Sequence, residues 1–69
     1  MCDTKALEEA IAKSGLKKSF IAERIGLSRA GLGQKIAGKT EFTASQIVAI
    51  TQLLQLTVDE RDQIFLLVG

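Results

Sequence analysis

The chain has 69 residues, 46% of them hydrophobic, with nine Lys plus Arg against eight Asp plus Glu and a formal net charge of +1. It holds one Cys and neither His nor Pro, which excludes an intrachain disulfide, a Cys/His metal cluster and any unperturbed side chain titrating near neutrality. No apolar run approaches the roughly 18 residues of a membrane span, and the charged start MCDTKALEEA is unlike a signal peptide. Length limits the chain to one domain, residues 1–69, whose core is thin, on the order of 3–5 kcal/mol. The expectation is a small cytoplasmic all-α domain without a cofactor, a small-molecule ligand or catalytic chemistry.

In chain order, residues 3–14 place Leu7, Ala10, Ile11 and Ser14 at helical spacing, with Asp3 or Thr4 as N-cap and Gly15 as terminator. A second helix over residues 17–25 carries Ile21, Ala22 and Ile25 on its apolar side and ends at Gly26. Ser28 is a good N-cap for a third helix over residues 29–37, with Leu32 and Ile36 as its buried pair and Gly38 as its stop. After a loop over residues 39–42, Thr43 to Gln46 has the form of a capping box and opens a fourth helix. That helix carries Ile47, Ile50, Thr51 and Leu54, widened by Val48 and Leu53, and is expected to form the centre of the core. Thr57 to Glu60 is a second capping box, which starts a fifth helical turn. The run Ile64-Phe65-Leu66-Leu67-Val68 is uniformly apolar, so periodicity leaves it helical or extended.

The near-neutral total hides an uneven distribution. Between residues 13 and 39 lie seven cations against the single anion Glu23, a balance of +6, and the remainder carries −5. A basic middle between acidic ends points to a local polyanion-binding surface. The same segment holds two short helices meeting across Gly26-Leu27-Ser28, too short a connection for antiparallel packing. That is the pattern of a helix-turn-helix, with Ala22 at the helix contact and Leu27 in the corner.

Ile21-Ala22-x-x-Ile25-Gly26-Leu27-Ser28, followed by Leu32-x-x-x-Ile36-x-Gly38-Lys39, resembles the signature of the lambda-repressor-like or Cro-like phage regulators, the XRE family. Glu41-Phe42 and the helix after them resemble the small Cro-type proteins, so the likeness covers about residues 7–56. The resemblance implies a compact five-helix lambda-repressor-like domain that binds double-stranded operator DNA as a homodimer and represses transcription. It also implies that Ser28, Arg29 and Ala30 open the recognition helix. Gln34, opposite Leu32 and Ile36, then faces the groove. Arg29 suits guanine O6 and N7, Gln34 suits adenine or a phosphate, and Ala30 suits a thymine methyl.

Lys17 and Lys18 at the start of the second helix, and Lys35, Lys39 and Thr40 beyond the third, are the expected phosphate contacts. One phosphate for each of the four lysines gives a dimer a log–log salt slope of roughly −7. Three features depart from the family pattern. Lys18 stands where Gln is frequent and is expected to repel Arg29. Gly31 and Gly33 lie inside the recognition helix, each costing about 0.8–1 kcal/mol against Ala. Either the backbone there closely approaches another helix or the DNA, or the helix is short and frays. Finally, no effector domain is expected to follow. For the dimer surface the candidates are Phe65, Leu66 and Leu67, unless the C-terminal run is consumed in capping the core. Rival readings are an antitoxin-type regulator of the same fold and a protein-interaction module.

Overall fold

A computed structural model describes residues 2–66, which form five α-helices and no strand among them. They are α1 (Thr4–Ser14), α2 (Lys18–Arg24), α3 (Arg29–Ile36), α4 (Ala44–Leu54) and α5 (Val58–Phe65). None is long and apolar enough to cross a membrane.

Helix boundaries follow local chemistry. The Asp3 carboxylate accepts the Ala6 N–H at 3.1 Å to start α1, and Ser28 Oγ accepts the Gly31 N–H at 2.9 Å to start α3. Both expected capping boxes are formed: Thr43 and Gln46 exchange hydrogen bonds at the head of α4, as do Thr57 and Glu60 at the head of α5. Only α2 begins without a side-chain cap, on Lys17. At its other end Gly26 takes φ +79°, so that the Leu27 N–H reaches back to the Ala22 carbonyl at 2.8 Å. This closure turns the chain sharply out of α2 and presents Ser28 as the cap of α3. The stop of α3 repeats it, with the Lys39 N–H on the Gln34 carbonyl at 2.9 Å.

Four side chains from four helices, Leu7, Ile21, Leu32 and Ile50, are completely buried, and Ile11, Ala22, Ile36, Ile64 and Phe65 complete the core. Each large aliphatic side chain removed from water contributes about 1.5–3 kcal/mol. The expectation that α4 forms the centre is therefore corrected, because α4 places only Ile50 fully inside. Its apolar residues span a wider arc than one packed face covers, so Ile47, Leu53 and Leu54 are half-buried and Val48 is 56% exposed.

Ile64 and Phe65 resolve the C-terminal ambiguity as far as the description extends: both are helical and buried. The Phe65 ring stands edge-on to Phe42 at 5.3 Å between centroids. Leu66 caps α5 in the left-handed region, at φ +56°. The Asp3 N–H donates to the Ile64 carbonyl at 2.6 Å and ties the start of α1 to the end of α5.

Candidate nucleic-acid interface

Of all the helices α2 packs most closely against α3, with Ala22 at 1% exposure and Leu27 half-buried in the corner between them. On α3 only Leu32 and Ile36 are buried. At 1.5 Å per residue this eight-residue helix is about 12 Å long, a size the major groove of B-form DNA admits. Arg29, Ala30 and Gln34 on α3 are exposed, and so are Lys17, Ser28, Lys39 and Thr40 beside it. The Ser28 hydroxyl oxygen is occupied as the cap of α3, which leaves it a structural duty independent of any ligand.

Charge compensation is uneven across this surface. Lys17, Arg29, Lys35 and Lys39 have no ion-pair partner among the described residues. Lys35 folds back: its Nζ donates to the Glu41 carbonyl at 2.6 Å and lies 6.0 Å from the centre of the Phe42 ring. The carbonyl orients that ammonium without cancelling its charge, so Lys35 braces the loop after α3. Arg24 lies 5.8 Å from the centre of the Phe20 ring, on another flank of α2.

Lys18 departs from expectation. Its Nζ lies 2.9 Å from Glu8 Oε1 and 3.2 Å from Oε2, across from α2 to α1. The anticipated repulsion between Lys18 and Arg29 is thus corrected, because a carboxylate from the acidic N-terminal stretch already neutralises Lys18. No local signal marks this pair, since its members are ten residues apart on different helices.

Gly31 and Gly33 are not points of close helix contact. A Cβ built on Gly33 would meet only Arg29, at 3.3 Å from Nη1, and one on Gly31 only the Ser28 Oγ, at 3.0 Å. The missing side chain at Gly33 leaves room for the Arg29 guanidinium to lie back along the helix. In the sequence the glycines count as a cost to the helix; the neighbour of Gly33, four residues earlier and one helical turn away, carries no such signal.

Of the three candidate dimer residues, Phe65 is corrected to a core position. It is 5% exposed within the single chain, where its ring fills space beside Phe42. Leu66 is 49% exposed, and Leu67 lies outside the described residues. Cys2 is half-buried, its thiol donates to the Lys35 carbonyl at 3.7 Å, and burial pushes its pKa up. Comparison of the chain with protein-family models, curated proteins and solved structures found no match.

Proposed function

We propose that this chain is a sequence-specific double-stranded DNA-binding transcriptional regulator. On this reading α2 and α3 are a helix-turn-helix, and the protein is a Cro-like repressor of phage or prophage origin. One observation carries the proposal. The helix after the turn commits only Leu32 and Ile36 to the core and leaves Arg29, Ala30 and Gln34 exposed among uncompensated cations. Those side-chain types suit base edges: a guanidinium fork for guanine, an amide for adenine and a methyl for thymine. Lys17, Lys35 and Lys39 supply charge for the backbone on either side, and Thr40 a hydroxyl. The protein acts by occupancy of an operator in the cytoplasm, without chemistry of its own.

One such helix reads few base pairs, so a homodimer on a palindromic site, with half-sites about 34 Å apart, supplies the remaining contacts. Of the candidate dimer residues, Leu66 is the described one that stays exposed and so can meet a partner. With Lys18 neutralised by Glu8, three of the four candidate phosphate-contacting lysines remain uncompensated in each subunit, and a dimer is expected to show a log–log salt slope of roughly −5. Titration of labelled duplex DNA at several salt concentrations tests this, and binding indifferent to salt would remove the proposal's electrostatic basis.

A further inference from the structure

Among the described residues, the fold sets the carboxylate of Glu8 on a cation of the candidate interface, Lys18, at 2.9 Å. It comes from α1, whereas the other interface residues belong to α2, α3 and their flanks. Both partners are partly open to solvent, with side-chain exposures of 32% for Lys18 and 44% for Glu8. Such a pair adds little to stability, because water screens it and two long side chains must be held together. Its consequence lies in what it denies to a third party. An ammonium held 2.9 Å from a carboxylate has no net charge to offer a phosphate, and any phosphate within its reach must also approach the carboxylate.

We propose that Glu8 is an intramolecular competitor of the DNA backbone for Lys18, lowering affinity for duplex DNA of every sequence. The inference rests on the DNA-binding reading above and assigns α1 a part in it. A phosphate bonded to Lys18 would lie about 4 Å from Glu8, where two like unit charges in water repel enough to weaken binding roughly fivefold. Glu8→Gln keeps the shape and a hydrogen-bond acceptor but removes the charge. Since Lys18 does not choose between bases, the penalty falls on backbone attachment and leaves base preference alone.

The experiment compares wild type, Glu8→Gln, Glu9→Gln and the double variant Glu8→Gln/Lys18→Ala on random-sequence duplex DNA across a salt series. Far-ultraviolet circular dichroism establishes that each is helical. Glu8→Gln is expected to bind about fivefold tighter per subunit at low salt, and to steepen a dimer's slope from roughly −5 to roughly −7. Glu9→Gln changes the net charge equally on an exposed neighbouring residue and is expected to give a much smaller gain. Adding Lys18→Ala should abolish the gain of Glu8→Gln. Equal binding by wild type and Glu8→Gln, equal gains from Glu8→Gln and Glu9→Gln, or a gain that survives Lys18→Ala would each overturn the inference while leaving DNA binding intact. Failure of every folded form to bind duplex DNA at low salt would overturn the DNA-binding reading together with it.

Discussion

Replacing Gly33 by alanine tests the reading of α3 most sharply, because two effects of known size meet at that position. In a helix interior alanine is more favourable than glycine by about 0.8–1 kcal/mol. Opposing this, the new methyl would stand 3.3 Å from Arg29 Nη1 and nothing else within 4 Å. That neighbour is the free end of an exposed, flexible side chain, so it can withdraw by a few tenths of an ångström at little cost. Net stabilisation of about 0.5–1 kcal/mol is expected, equivalent to several degrees in Tm for a domain of this size. Thermal unfolding of Gly33→Ala in the wild-type and Arg29→Ala backgrounds measures both parts. The gain should be slightly larger without Arg29, and the difference is the contact. Gly31→Ala supplies the contrast, since its methyl would meet the Ser28 oxygen at 3.0 Å while that oxygen caps the helix. A cap is worth about 1 kcal/mol, enough to cancel the propensity gain. Loss of stability by Gly33→Ala in both backgrounds would refute the reasoning and mean that residue 33 packs against something other than Arg29.

Phe65→Ala should unfold the protein, because truncating a buried phenylalanine costs about 3–5 kcal/mol, as much as the whole thin core supplies. Leu66→Asp, by contrast, should keep its helices and, in sedimentation, dissociate the proposed dimer; an unchanged dimer would place the interface elsewhere. The Glu60 carboxylate is held below the usual glutamate range by the Thr57 backbone N–H and then by the Thr57 hydroxyl. Its contribution to the head of α5 is therefore present above the ordinary glutamate pKa and is lost as pH falls through the lowered one. Accordingly the Tm advantage of wild type over Glu60→Gln should shrink on acidification, and an advantage constant from neutral pH to acid would contradict the assignment.

Much of the fold was legible because its signals are local. Asp3, Ser28, Thr43 and Thr57 mark helix starts by hydrogen bonds that span only three residues, and Gly15, Gly26 and Gly38 mark the ends by their positive φ. The pairs Leu7/Ile11 and Leu32/Ile36 show their buried faces by spacing alone. The C-terminal run could not be read in this way, because five successive apolar residues have no periodicity; the place of Phe65 depends on Phe42, which approaches from a distant loop.

The candidate site divides along the same line. The exposure of Arg29, Ala30 and Gln34 follows from the helical phase set by Leu32 and Ile36. Electrostatics did not follow, because the partners of Lys18 and Lys35 depend on how α1 and the loop after α3 are placed. In the sequence Glu8 belongs to an acidic end flanking the basic segment, whereas the fold sets it against Lys18 within the basic surface.

Selection of bound sites from random duplex DNA is the most direct test of the claim that α3 reads sequence. Wild type is expected to enrich a palindromic consensus. Arg29→Ala and Gln34→Ala should each lose preference at one position per half-site while keeping the rest. Enrichment of no sequence, or an identical consensus from all three proteins, would contradict the account.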